Sequence, residues 1–295
     1  MCMKLSRFVF PVLMLMAVCH CKAQNKNAGI PVSADKMLAG GYQLVWSDEF
    51  NKDGAPDSAS WGFENGFVRN QELQWYQAEN AYCKNGFLII EGRRAAKPNP
   101  VYTAGSKDWK RRMDSIRYTA ASINTSGKFS WKFGRFVMRG RIDISAGMWP
   151  AWWTLGITGQ WPSNGEIDMM EYYNNKLLAN IACGTAVPYK AEWFSKTKPA
   201  DSLGGAAWAS QFHTWRMDWD EQKIDLYVDE LLMNHVELNQ LVNKDGTGIN
   251  PFTQPHYMLL NLAIGGINGG DPSHTPFPKK FEVDYVRVYQ LPVKN

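Results

Sequence analysis

The chain has 295 residues, 45% hydrophobic and 20% charged side chains, and a formal net charge of +4. That composition excludes a fibre or a disordered chain and allows one large core or two modest ones. Three of the excess cations, Lys4, Arg7 and Lys22, lie in the first 24 residues, which hold no acid; without them no strongly basic surface is left, which argues against a nucleic-acid partner.

In chain order, the first element is an apolar run over residues 8–18 behind Lys4 and Arg7, followed by small and polar residues. This pattern reads as an export signal spanning residues 1–24. The run is about half the ~20 residues a membrane-spanning helix needs, and no other stretch qualifies, so no transmembrane segment is expected. The expected product is exported to the periplasm, the cell surface or the medium. Lipid attachment at Cys19 or Cys21 is the second choice, because Val18 and His20 are poor residues to precede such a cysteine. Beyond the signal only Cys83 and Cys183 remain, too far apart in sequence to define a disulfide framework, and free buried thiols are an equal reading.

Residues 25–41 are small and polar and read as a leader, residues 42–290 as one domain, and residues 291–295 as a tail. Across the domain short runs alternate with period two: "FLIIEG" from Phe87, "GRFVMRGRIDIS" from Gly134, "KIDLYVDE" from Lys223, "HYMLLNLAIGG" from His256 and "FEVDYVRVYQ" from Phe281. In "GRFVMRGRIDIS", Phe136, Met138 and Gly140 share one face while Arg135, Val137, Arg139 and Arg141 share the other. Many such strands and few short helices predict an all-β sandwich or barrel. Two stretches, from Asn99 and from Tyr189, read as long irregular loops, where ligand contacts tend to lie. Thirteen Trp, twelve Tyr and fourteen Phe exceed what such a core needs, so some of them are expected on a binding surface.

The most informative stretch is "GEIDMMEYY" from Gly165. Strict alternation puts Glu166 and Asp168 on one face and leaves Glu171 on the other. A β-bulge at Met169 and Met170 would return Glu171 to the face of the first two acids. Three carboxylates on one face repel each other and lose hydration, so at least one retains a proton at neutral pH. Retaining glycosidases need such a set, with one carboxylate as nucleophile and one carboxylic acid assisting the leaving oxygen. A solvated edge strand or a hard-cation site would also accept three acids.

This stretch resembles the active-site signature of glycoside hydrolase family 16, in the branch with a bulged ExDxxE strand. "LVWSDEFN" from Leu44, "NQELQWY" from Asn70, "NAYCKNGFLIIEGRR" from Asn80, "GKFSWKFGRFVMRGRI" from Gly127, "GMWPAWWTLG" from Gly147 and "FEVDYVRVYQ" extend the resemblance over nearly the whole domain. It implies a jelly-roll sandwich of two antiparallel curved sheets, similar to concanavalin A-type lectins, with a concave cleft. It also implies Glu166 as nucleophile, Glu171 as acid/base and Asp168 as assisting carboxylate, in endo-hydrolysis of a β-linked polysaccharide with no cofactor in the chemistry. Trp149, Trp153 and Trp161 are the expected stacking surfaces, and Asn70, Glu72 and Arg135 the expected hydrogen-bonding groups beside the scissile bond. Glu49, Asp284 and a carbonyl near Gly86 match a structural calcium site, whose ligands could equally be plain ion pairs. A monomer is expected.

Where many glucan-cleaving relatives carry His-Gly-Thr-x-His on the strand after the acidic one, this chain has "ANIACGTAVPY" without histidine. The expected substrate is a β-1,3- or mixed-linkage β-glucan. The alternative is a galactose-containing chain of the agar, porphyran, carrageenan or host-glycan type, and a more distant alternative is a non-catalytic lectin on the same sandwich. A sulfated substrate would call for clustered cations beside the cleft, for which "KDWKRR" from Lys107 is the one candidate.

Overall fold

The structure is a computed structural model and describes residues 37–292. The proposed signal, both lipidation cysteines and most of the leader lie outside those residues. Among the described residues the strands form two sheets. The smaller runs in the order β12 (Ala191–Pro199), β11 (Lys176–Gly184), β10 (Glu166–Tyr173), β9 (Met148–Gly156), β16 (His256–Ile264), β7 (Ser122–Asn124) and β2 (Gly62–Phe63). The larger is built on β15 (Leu231–Glu237), β14 (Lys223–Val228), β13 (His213–Trp219), β8 (Gly134–Arg141), β17 (Lys279–Gln290), β5 (Phe87–Pro98), β6 (Ser115–Ala120) and β3 (Gln74–Tyr76). β1 (Gln43–Asp48) pairs with β17, and β4 (Ala81–Lys84) with β5.

Alternation explains why the two sheets meet. Phe136 and Met138 of β8, Trp215, Met217 and Trp219 of β13, and Val286 and Val288 of β17 turn inward. They pack against Trp152 of β9, Ile167 of β10, Leu177, Ala179 and Ile181 of β11, and Met258, Leu260 and Leu262 of β16. Burying a large apolar side chain contributes about 1.5–3 kcal/mol, and here each inward row has a facing row to fill. Arg135 and Val137 face away from this core, as the alternation predicts. Val137 joins Tyr285, Tyr289 and Met37 in a small outer cluster, so the end of the leader packs on the domain. Cys83 and Cys183, one on each sheet, are buried free thiols.

The stretch from Tyr189, expected to be irregular, is an edge strand, β12, followed by short helical turns at Ala200–Leu203 and Gly205–Ala209. The pairing of β12 with β11 continues the smaller sheet by one strand. Alternation was present in the sequence, but Lys196 and Lys198 share the face of Phe194, opposite the cleft, and mask the apolar side of this edge strand.

Candidate active site

The outward face of the smaller sheet forms the floor of a cleft of about 910 Å³. On β10 the bulge lies where expected. Asp168 pairs with Trp153 and Met170 with Trp152 on β9, which leaves Met169 as the extra residue. On the β11 side the register passes from Asp168–Asn180 to Glu171–Leu178. Ile167, Met169 and Met170 are all buried between the sheets, while Glu166, Asp168 and Glu171 share the cleft. The two methionines therefore serve the core, and the additional residue re-aims the third acid.

Each acid has specific partners. The Trp161 indole N–H donates to Glu166 Oε2, and Glu166 and Asp168 share a hydrogen bond. Asn180 Nδ2 donates to Asp168 Oδ2 at 3.3 Å and to Glu171 Oε2 at 2.9 Å. Trp149 Nε1 donates to Glu171 Oε1 at 2.7 Å. Burial raises the proton affinity of all three acids. For Asp168 the adjacent charges of Glu166 and Glu171 add to burial and push it well above the usual carboxylate range. For Glu171 burial outweighs the hydrogen bonds from Trp149 and Asn180, and its pKa is pushed up to about 7. Glu166 is raised by burial, but Trp161, Asp168 and the Arg69 charge all favour its ionised form. At neutral pH the set can thus hold an ionised carboxylate at one end and a proton at the other.

Trp149, Trp153, Trp161 and Asn70 line the cleft as expected. Trp153 Nε1 donates to Asn261 Oδ1 at 2.7 Å, which fixes its ring. Glu72 is placed differently. It is only 2% exposed and lies behind the cleft, where it accepts from Gln74 at 2.7 Å, Tyr76 at 3.2 Å and Asn70 at 3.3 Å. It therefore props the turn that carries Asn70 instead of facing the substrate. Arg135 is further from expectation, because β8 belongs to the other sheet. Its guanidinium bonds Asp218 at 2.6 and 3.0 Å and stacks over Tyr42 at 4.6 Å. It is a structural cation on the outer face.

Several lining residues escaped the sequence reading. Arg69, held by Glu64, sits 5.1 Å over the Trp153 ring. Its only sequence signal is that it adjoins Asn70. Asn180 and Leu178 were legible as the cleft-facing residues of "LLANIACG" once β11 was paired. Ser195 and Thr197 come, with Trp193, from the stretch after Tyr189 that was expected to carry ligand contacts as a loop and is a strand, and Tyr257 comes from β16. The register places Trp193, Ala182, Glu166, Leu155 and Tyr257 in one row across five strands. At ~4.8 Å between strands, Trp193 and Tyr257 stand about two strands on either side of Glu166.

The proposed calcium ligands are engaged elsewhere. Glu49 accepts from Arg287 at 2.8 and 2.7 Å, and Asp284 pairs with Arg139. Gly86 lies between β4 and β5 with φ of 80°. Among the described residues no group of three or more His, Cys, Asp or Glu is placed to hold a metal ion. In this arrangement the arginines neutralise both carboxylates, and the donor set does not fit calcium. The "KDWKRR" stretch forms a short helical turn, Trp109–Arg112, and Trp109 packs on Phe67 at 5.8 Å. It borders the loop that carries Val68 and Arg69 into the cleft, and its cations do not line the cleft floor.

An acid trio on a bulged strand, in an aromatic cleft on one face of a two-sheet sandwich, defines a β-sandwich glycoside hydrolase. Comparison with known proteins narrows the class: residues 92–287 match glycosyl hydrolases family 16, and the chain belongs to that family. It is 33% identical over 262 residues to a beta-glucanase of Rhodothermus marinus, which covers 84% of this chain and 85% of the relative. It is 29% identical over 267 residues to a keratan-sulfate endo-1,4-beta-galactosidase of Sphingobacterium multivorum, covering 89% of this chain and 58% of the relative. A structure from work on endo-acting O-glycanases that members of the human gut microbiota express to initiate mucin breakdown superposes with a TM-score of 0.77 at 34% identity, covering 86% of this chain and 92% of that one. The family and these relatives make this chain an endo-acting β-glycan hydrolase with a jelly-roll fold.

Proposed function

We propose that the enzyme cleaves a galactose-containing β-linked glycan of the host type, with retention at the anomeric carbon. The observation that carries the substrate class is the wall of β11 beside Glu171. Its cleft-lining residues are Lys176, Leu178 and Asn180, so it offers one cation, an apolar side chain and a single amide in place of imidazoles. An N-acetyl methyl packs on the apolar part of such a wall, a contact that a glucan, which carries no N-acetyl group, does not make. The likeness to the O-glycanase structure and to the keratan-sulfate galactosidase supports this reading.

In the first step the Glu166 carboxylate attacks the anomeric carbon and forms a glycosyl ester. The bond to the leaving oxygen breaks as Glu171 donates its proton to that oxygen. In the second step ionised Glu171 takes a proton from water, whose oxygen displaces Glu166 and restores both groups. Asp168, hydrogen-bonded to Glu166, steadies the nucleophile in both steps. Trp193 and Tyr257, two strands to either side, suit a chain bound in its middle.

A β-1,3- or mixed-linkage glucan is the second reading, favoured by the identity to the beta-glucanase over most of its length. Residues 25–295 are to be incubated with laminarin, barley β-glucan, agarose, porphyran, carrageenan and keratan-type glycans, and the products read by mass spectrometry. Oligomers from the keratan-type glycan are expected; oligomers only from the glucans would overturn the substrate assignment. The signal in residues 1–24 supports export, which fractionation of expressing cells tests.

A further inference from the structure

We propose that Asn180 is a positioning residue whose side-chain amide, bridging Asp168 and Glu171, governs how readily Glu171 exchanges its two roles between the half-reactions. This rests on the retaining mechanism above. Asn180 pairs with Asp168 across the β10–β11 ladder, and the bulge brings Glu171 within reach of the same amide. Both bonds use one nitrogen, at 3.3 and 2.9 Å. The other end of the amide is unusual: Asn180 Oδ1 is buried and has no hydrogen-bond partner. An orphaned buried acceptor costs about 1–3 kcal/mol, and a residue placed only to fill the wall would be a leucine, like its neighbour Leu178. Turned over, the amide would lose its donation to Asp168 and Glu171 and could only accept from their protonated forms.

The result is a continuous line of hydrogen bonds running from the Trp161 indole through Glu166, Asp168, Asn180 and Glu171 to the Trp149 indole. The charged and titratable groups facing Glu171 are Glu166, Asp168 and Tyr173 on its own strand, Lys176 on β11, and Glu72 and Arg69 from the turn before β3. Against that largely acidic set, the amide of Asn180 and the indole of Trp149 are the donors that favour ionised Glu171. The first half-reaction uses the protonated form, and the second uses the ionised one. Without the amide Glu171 holds its proton more tightly, so activation of water slows while donation to the leaving group does not.

The test uses Asn180→Ala, and Asn180→Thr as a smaller change that keeps one donor. Both are compared with the wild type on an aryl glycoside of the oligosaccharide that the wild type releases. For Asn180→Ala, kcat should fall about tenfold with KM falling alongside it, so that kcat/KM is largely kept. The high-pH limit of activity should move upward, and quenched samples should show a glycosyl adduct in the intact mass. Asn180→Thr should fall between the two. If KM rises, the pH limit stays put and no adduct forms in either folded variant, the proposal is wrong. If the wild type itself forms no retained product, the mechanism has failed and not the role of Asn180.

Discussion

Glu171 meets a change of surroundings that bears on stability. Its carboxyl has an ordinary pKa of 4.5 when exposed and one of about 7 in the fold, where burial is the main cause. The fold therefore binds this proton more tightly than the unfolded chain does. The associated stability is fully present below pH 4.5 and is lost as the pH rises toward 7, by an amount on the order of 3 kcal/mol. Glu171→Gln keeps the shape and removes that loss. Its melting temperature should match the wild type near pH 4 and exceed it above pH 7, with activity on natural glycans abolished. Equal melting curves at pH 8 would contradict the burial of this charge. At this scale much was readable in advance. The three acids stood out because they break the period of their strand, and Trp149 because it belongs to the block before it. Arg135 was misassigned by motif position although alternation already set it opposite Phe136, on the outer face. Glu72 looked like a cleft residue because nothing in the sequence announces that Gln74, Tyr76 and Asn70 turn back to hold it.

Among the elements, β10 is the one whose irregularity the site depends on. Ile167, Met169 and Met170 pack inward and Glu171 outward only because one residue is left over in the register with β9. Inserting one alanine between Met170 and Glu171 would add a residue that this bulge does not absorb and turn Glu171 into the core. An uncompensated carboxyl there costs several kcal/mol, so the insertion should lower the urea midpoint sharply and abolish turnover. Met169→Leu, which conserves volume, should cost less than about 1.5 kcal/mol and leave activity near that of the wild type. An insertion variant that folds normally and retains activity would show that the bulge does not aim Glu171. The bulge was legible because three acids and two methionines admit few arrangements on a half-buried strand. β12 was not, because this edge strand carries lysines on the same face as Phe194 and needs its neighbour before the pattern makes sense. Trp193 reached the site with it.

For the whole molecule, the sandwich follows from many short alternating runs, and its single core follows from Trp152, Trp215, Trp219 and Phe136 pointing inward from both sheets. Strand order could not be read in the same way. The pairing of β1 with β17, or of β3 in parallel with β6, depends on contacts between distant parts of the chain that no local pattern encodes. The central claim is that this scaffold presents Glu166 and Glu171 to one glycosidic bond as nucleophile and acid/base. The most direct test is time-resolved proton NMR of the reducing end released from whichever glycan the enzyme cleaves. The β-anomer should appear first and mutarotate slowly to the equilibrium mixture. Initial release of the α-anomer would mean a single displacement by water and would contradict the roles assigned to both residues.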